Sequence, residues 1–201
     1  MATTTDNYKK HTHRNPIQRL LLWNFFRNLA NLISKQQAVD SILDVGCGEG
    51  FTLNRLREKG IGKKLEGVEY SEAAIELGKK TYPEIKISQG SIYDLPYKDN
   101  SFDLVLCTEV LEHLEEPEKA LRELVRVSKK YLAISVPNEP FFMFAQLVRG
   151  KNWSRLGNDI EHINHWTMFG FPEFVQKNAG TNIKILSKRF PFAWTMLFLE
   201  K

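Results

Sequence analysis

The sequence has 201 residues, of which 42% are hydrophobic and 26% charged, with a formal net charge of +4 at pH 7. We expect one globular domain over residues 1–201. No apolar run approaches the ~20 residues that span a bilayer, so stable membrane insertion is not expected. The basic pairs are dispersed along the chain, which argues against a nucleic-acid partner. Two cysteines and a polar N-terminus point to a reducing compartment, so we expect a cytoplasmic protein.

Apolar spacing and turn residues predict an alternation of helices and strands after an unpatterned start to about Arg14. The predicted strands cover residues 41–45, 64–69, 85–88, 102–107, 131–136, 182–190 and 193–200. The predicted helices cover residues 17–34, 51–59, 71–81, 118–127 and 171–179, and residues 138–159 are expected to be irregular or helical. Five β-α alternations before a closing hairpin predict an α/β fold. Specifically, we expect a Rossmann-like, doubly wound, seven-stranded and mostly parallel sheet with a C-terminal antiparallel hairpin, the reversed strand lying at its edge.

The first strand breaks into a glycine-rich turn, Asp44-Val45-Gly46-Cys47-Gly48-Glu49-Gly50, and a helical pattern follows. Glycines at every second position allow a sharp turn and leave bare backbone against which a ligand can lie. Strand, turn and helix in this order bind nucleotide-like cofactors at the carboxyl edge of a sheet. The spacing is G-x-G-x-G, whereas a dinucleotide fingerprint reads G-x-G-x-x-G.

Glu69 ends the second strand about twenty residues further on. A carboxylate at this place can accept hydrogen bonds from both hydroxyls of a ribose, as it does in dinucleotide folds. Tyr70 follows it and offers a flat ring against which an adenine could lie.

Two further blocks carry a family resemblance that covers residues 41–137. The glycine turn resembles motif I of the class I S-adenosylmethionine-dependent methyltransferases, and the small-molecule "type 11" group in particular. Residues 89–97 look like that family's G-D-A-x-x-L-P-F segment, with Ser91 where an Asp is usual. Residues 100–114 are similar to its D-x-S-F-D-x-V-x-x-x-x-V-L-E-H signature. The resemblance implies S-adenosyl-L-methionine as cofactor, bound by Asp44, Gly46, Cys47, Gly48, Glu69, Tyr70, Ser91, Ile92 and Thr108.

The acceptor site in such folds is built from the N-terminal segment, the loop after the fifth strand and the insertion before the hairpin. We therefore predict a covering segment over residues 1–35 and an acceptor-site insertion over residues 138–170. The residues that we expect to contact substrate are Arg14, Asn138, Phe141 and Trp166.

Histidines are the candidates for catalysis, because a base is needed when an acceptor must lose a proton. His113 matches the last residue of the third signature, and His162 and His165 lie in a segment that resembles the family's H-x-x-x-[WF]-[ST] element. His162 and His165 could also share a metal, but no carboxylate or cysteine lies near them at ligand spacing, so no metal site is predicted.

The predicted function is transfer of a methyl group from S-adenosylmethionine to a small-molecule acceptor. The acceptor, the atom methylated and the oligomeric state stay open. The alternatives are an RNA or protein methyltransferase, favoured only by the basic charge, a nicotinamide-dependent oxidoreductase, and a non-catalytic protein that keeps the cofactor fold. The glycine spacing and the closing hairpin argue against the oxidoreductase.

Overall fold

The computed structural model describes residues 5–12, 14–36, 38–148 and 162–201. Its helices are α1 (Asp6–Thr12), α2 (Pro16–Ile33), α3 (Phe51–Glu58), α4 (Glu72–Thr81), α5 (Pro117–Val127), α6 (Glu139–Val148) and α7 (Gly170–Asn178), with a 3₁₀ turn at Leu111–His113. Its strands are β1 (Ser41–Val45), β2 (Lys64–Glu69), β3 (Lys86–Gln89), β4 (Phe102–Thr108), β5 (Ser128–Pro137), β6 (Lys184–Arg189) and β7 (Trp194–Glu200).

All seven strands form one sheet in the order β3-β2-β1-β4-β5-β7-β6. β1 to β5 pair in parallel, whereas β7 runs antiparallel to both β5 and β6. The predicted seven-stranded, mostly parallel α/β sheet with its C-terminal hairpin is confirmed. The reversed strand is not at the edge, where we had expected it, because β7 lies between β5 and β6. The side chains of β7 are buried on both faces up to Leu199, whereas β6 is mostly exposed, as suits an edge strand.

Helices cover both faces of the sheet, and the strand residues alternate between two apolar cores. Ile42 and Leu104 belong to the core that includes side chains of α2, α3 and α4. Leu43 and Val105 point the other way, into a core that includes side chains of α5 and α7. Strands that are apolar on both faces are what a sheet between two helical layers requires.

The sequence predicted no regular structure before about Arg14. The structure instead has a helix, α1, over Asp6–Thr12. Its stability comes from tertiary contacts rather than from an apolar stripe. The ring of His11 stacks on Phe51 at 4.3 Å between centroids, and that of Tyr8 lies 5.8 Å from it. Because these contacts involve a polar, aromatic helix face, hydrophobic periodicity could not reveal them.

The strand order reverses between β1 and β4, since the chain winds outward from β1 to β3 and then returns to β4. Open α/β sheets bind ligands beside the carboxyl ends of the strands at such a switch point. None of the helices within the described ranges is long and apolar enough to cross a membrane.

Candidate functional site

A cavity of about 1490 Å³ lies at the switch point, beside the carboxyl ends of β1, β2 and β4. One end is bordered by the glycine turn, Glu69 and the Ser91–Tyr93 segment. The other end is bordered by the segment after β4, by Phe142 and His162, and by Trp194. Side chains of α1 and α2 form its remaining wall, including His11 and Phe25.

Left-handed backbone at Gly46, Gly48 and Gly50 turns the chain from β1 into α3, with φ values of +75°, +55° and +84°. The Gly46 amide donates to the Val68 carbonyl at 2.8 Å, which fixes the turn against the end of β2. A Cβ atom at Gly46 would lie 2.4 Å from Cγ2 of Val110, so only glycine fits there.

Glu69 is held by three backbone amides at the end of β2. Its Oε2 accepts from the Gly48 amide at 2.9 Å, and its Oε1 accepts from the amides of Tyr70 and Ser71 at 2.8 and 2.9 Å. The carboxylate is half-buried and borders the cavity. This geometry fixes the carboxylate beside the glycine turn, with oxygen lone pairs available to a ligand.

Asp44 and Cys47 are buried beside the turn. Burial, and to a lesser extent the Glu69 carboxylate, raises the pKa of Asp44 to about 7. Its Oδ1 has no hydrogen-bond partner among the described residues. Burial also raises the pKa of the Cys47 thiol, whose Sγ would lie 2.5 Å from a Cβ at Gly67. The Cys47 side chain therefore packs against β2, and the Cys47 amide also donates to the Val68 carbonyl of β2 at 3.2 Å.

The remaining residues predicted for the cofactor also border the cavity. Ser91, Ile92 and Thr108 are half-buried there, and Tyr70 is 79% exposed at the rim. The Ser91 hydroxyl already accepts from the Tyr93 amide at 3.2 Å. The structure thus brings the whole predicted cofactor set to the border of one cavity.

The four predicted substrate residues do not border the cavity. Arg14 is exposed in the short link between α1 and α2, and Phe141 is 50% exposed. The Asn138 backbone carbonyl accepts from the amides of Phe141 and Phe142, so it starts α6. The Trp166 ring packs on Phe171 and Phe174. Phe142, the residue after Phe141 on α6, does border the cavity. Contact of the four predicted residues with substrate stays a prediction. The predicted insertion also includes residues 149–161, which lie outside the described residues.

Of the three predicted catalytic histidines, His113 and His162 border the cavity and His165 does not. Glu139 connects two of them: its Oε1 lies 2.9 Å from Nδ1 of His162 and 3.3 Å from Nδ1 of His165. The ring of His162 also lies 5.1 Å from those of His113 and Phe142. His162 is therefore held by a buried carboxylate, with its second nitrogen available.

Two acidic residues that we did not predict from the sequence border the same end of the cavity. Glu109 accepts hydrogen bonds from Nε1 of Trp194 and from the Ser135 hydroxyl. Glu112 is 1% exposed, and burial together with the Glu109 charge raises its pKa well above the usual range. The spacing Glu109-x-x-Glu112-His113 directly after a buried strand was the signal that could have identified this cluster.

Comparison with known proteins identifies the family. The sequence-family model of a methyltransferase domain matches residues 43–132, which include the glycine turn, Glu69 and the 3₁₀ turn. A probable S-adenosylmethionine-dependent methyltransferase of Mycobacterium tuberculosis is 31% identical over 103 residues, covering 50% of this chain and 37% of that protein. The chain therefore contains a methyltransferase domain that is similar to those of S-adenosylmethionine-dependent methyltransferases.

Two further comparisons agree with this methyltransferase assignment. The demethylmenaquinone methyltransferase of Staphylococcus aureus is 30% identical over 147 residues, covering 65% of this chain and 61% of that protein. Magnesium protoporphyrin IX methyltransferase from Synechocystis, solved with bound S-adenosylhomocysteine, has the same fold. The two structures superpose with a TM-score of 0.72 and 15% sequence identity, covering 96% of this chain and 91% of the Synechocystis chain. The chain spans about a third to three fifths of the length of the curated relatives named here. The cofactor of this family is S-adenosylmethionine.

Proposed function

We propose that this protein transfers the methyl group of S-adenosylmethionine to a small-molecule acceptor. The observation that carries the proposal is a continuous cavity of about 1490 Å³, which joins the glycine turn to an end bordered by Phe142 and Trp194. Pockets for one small ligand measure roughly 300–1,000 Å³, so this cavity has room for a cofactor and a modest acceptor together.

The cofactor would lie with its ribose at Glu69 and its adenine near Tyr70, Ser91 and Ile92, as the family motifs imply. Its methionyl part would then lie near Asp44 and Thr108, which also border the cavity. The sulfonium already activates the methyl group, so the protein has to align the acceptor in line with it and exclude water.

The second end of the cavity favours a small acceptor over RNA or a protein. It combines aromatic rings with the carboxylates of Glu109 and Glu112, whereas a nucleic-acid site needs a basic surface. The S. aureus relative is named for demethylmenaquinone, which is also a small molecule. We infer that residues 1–35 act as a cover, because α1 and α2 supply one wall of the cavity. A cytoplasmic location stays a prediction, and it agrees with the two free cysteines.

The test is methyl transfer from labelled S-adenosylmethionine into separated fractions of a cell extract. We expect label in the small-molecule fraction, with matching formation of S-adenosylhomocysteine, and none in the RNA or protein fractions. Transfer into RNA or protein alone would overturn the acceptor class. Calorimetry that detects NAD binding but no S-adenosylhomocysteine binding would overturn the reaction itself.

A further inference from the structure

Three side chains that can bind a metal ion converge at the acceptor end of the cavity. One ligand atom each from Glu112, His113 and His162 can be chosen so that all lie within 4.8 Å of one another. Two imidazoles and one carboxylate form the ligand set of some catalytic zinc sites, and other divalent transition metals accept the same donors. Metal–ligand bonds of about 2.0–2.2 Å require the three side chains to draw slightly closer together.

The state of Glu112 is the second observation that points to a cation. This side chain is 1% exposed, borders the cavity, and has no hydrogen bond to either carboxylate oxygen among the described residues. The Nε2 atom of His113 lies 4.0 Å from Oε1 of Glu112, which is too far for a hydrogen bond. Lys10 of α1 attracts the carboxylate from a distance. A buried carboxylate without a partner is strongly unfavourable, and a bound cation removes that penalty.

Glu139 orients His162 as a metal ligand. Its Oε1 lies 2.9 Å from Nδ1 of His162, which leaves Nε2 as the nitrogen that can bind an ion. Carboxylate–histidine pairs of this kind are the usual outer support of metal-binding imidazoles, since they fix the tautomer and the orientation of the ring.

The segments that carry these ligands are fixed to each other by backbone hydrogen bonds. The carbonyl of Glu112 accepts from the amides of Ile163 and Asn164, both at 2.9 Å. The Asn164 side-chain amide donates to the carbonyls of Leu111 and Leu114 at 3.2 and 2.6 Å. The 3₁₀ turn with Glu112 and His113 is therefore held beside the segment with His162, as a metal site requires.

We propose that Glu112, His113 and His162 bind a divalent transition-metal ion at the acceptor end of the cavity, with Glu139 as a positioning residue. This gives the two histidines a different role from the proton transfer predicted from the sequence. It also differs from the pairing of His162 with His165 that we had weighed, because both of those rings face Glu139 instead.

The metal site also indicates the class of acceptor, an inference that rests on the proposed function. Three protein ligands leave coordination positions open to the cavity, where a hydroxyl and an adjacent oxygen of one molecule can bind together. The bound hydroxyl loses its proton to water, because the cation lowers its pKa. The oxygen lone pair then forms the new C–O bond, while the electron pair of the breaking S–C bond stays on sulfur as S-adenosylhomocysteine leaves.

Metal binding is tested on the chelator-treated full chain with Co²⁺, whose visible spectrum reports imidazole and carboxylate ligands. We expect one ion per chain for the unmodified protein and for Glu115→Gln, a matched change of an exposed carboxylate three residues from Glu112. Glu112→Gln and His162→Gln should weaken Co²⁺ binding at least tenfold, and Glu139→Gln by about 10–100-fold. Equal affinity in Glu112→Gln, or no Co²⁺ binding in the unmodified protein, would overturn the site.

Thermal unfolding separates loss of the metal site from loss of the fold. Without metal, Glu112→Gln should unfold at a temperature close to that of the unmodified protein, because an amide of the same shape replaces a buried carboxyl group that has no hydrogen-bond partner among the described residues. Co²⁺ should then raise the unfolding temperature of the unmodified protein but not that of Glu112→Gln. S-adenosylhomocysteine affinity, measured on the same samples, tests the proposed function independently. Co²⁺ binding without any S-adenosylhomocysteine binding would overturn only the proposed function.

The acceptor class is tested with two isomeric probes on the Co²⁺-loaded protein. Catechol (1,2-dihydroxybenzene) should change the Co²⁺ spectrum, whereas resorcinol (1,3-dihydroxybenzene) should not, because only adjacent oxygens can chelate one ion. Equal responses to the two isomers, or no response to either, would overturn the acceptor class and leave the metal site standing.

Discussion

At the scale of single residues, Glu69 is the side chain whose proposed role can be measured most directly. Its carboxylate is held by the amides of Gly48, Tyr70 and Ser71, so it meets a ligand without reorganising. The sequence predicted this residue because both the turn and the strand end are local features. The three amides that hold it became visible only in the structure.

Glu69→Ala should weaken S-adenosylmethionine binding by on the order of tenfold, since it removes charge-assisted hydrogen bonds worth roughly 1.5–3 kcal/mol. Isothermal calorimetry measures the change. Glu76→Ala, an exposed carboxylate on the neighbouring α4, is the control that should bind normally. Unchanged affinity in Glu69→Ala would refute the ribose assignment.

Asp44 predicts a pH dependence of cofactor binding. Its pKa, raised by burial to about 7, means that the carboxyl group is largely protonated in the free protein at lower pH. The positive charges of the cofactor's methionyl part favour the ionised form, so binding below about pH 7 releases a proton. Affinity should therefore rise as the pH increases from about 5 to about 7, and then level off.

Asp44→Asn should flatten this profile, because an amide does not titrate. Calorimetry in two buffers of different ionisation heat measures the proton released at each pH. If the unmodified protein and Asp44→Asn show parallel pH profiles, the titration belongs to another group.

At the scale of elements, α1 is the part that the sequence did not reveal. Its start is fixed by Thr5 and Asn7, whose side chains both donate hydrogen bonds to the buried carboxylate of Glu49 in the glycine turn. The same helix places His11 against Phe51. These contacts join residues at least forty positions apart, so no local pattern could predict them.

Acid should release α1 from the cavity. Burial, helped by Lys10 and Arg55, lowers the pKa of His11 to about 3, whereas an undocked histidine titrates near 6.5. Above about pH 6.5, His11 is neutral in both states and α1 stays docked. Below this pH the equilibrium constant for docking of α1 falls by up to about tenfold per pH unit. Hydrogen-exchange protection factors of the α1 amides should fall accordingly.

The matched variant for this experiment is His11→Phe, which keeps a ring on Phe51 but cannot take up a proton. Its α1 protection should not change with pH over the same range. His165→Gln, which alters a histidine outside the cavity, should behave like the unmodified protein. A pH response retained in His11→Phe would assign the release to another group.

At the scale of the whole molecule, the cavity should couple cofactor binding to stability. S-adenosylhomocysteine at about 100 times its Kd stabilises a native state that binds it by about 2.7 kcal/mol. For a chain of this length, such a gain raises Tm by roughly 5–10 °C. Scanning calorimetry with S-adenosylhomocysteine, and with NAD as the control, measures the shift. An equal rise with NAD would contradict a cavity specific for the methyl donor.

The sequence by itself determined the α/β sheet and the cofactor end of the cavity. The strands, the glycine turn and Glu69 depend on neighbouring residues and on the carboxyl edge of the sheet. Their positions can therefore be recognised from the local sequence alone. The acceptor end was decided by the tertiary structure. Glu112 lies beside His162 because hydrogen bonds join two segments about fifty residues apart. Phe142 borders the cavity because of its position on α6. Such contacts depend on how helices and strands pack against each other, and local sequence patterns do not specify that packing.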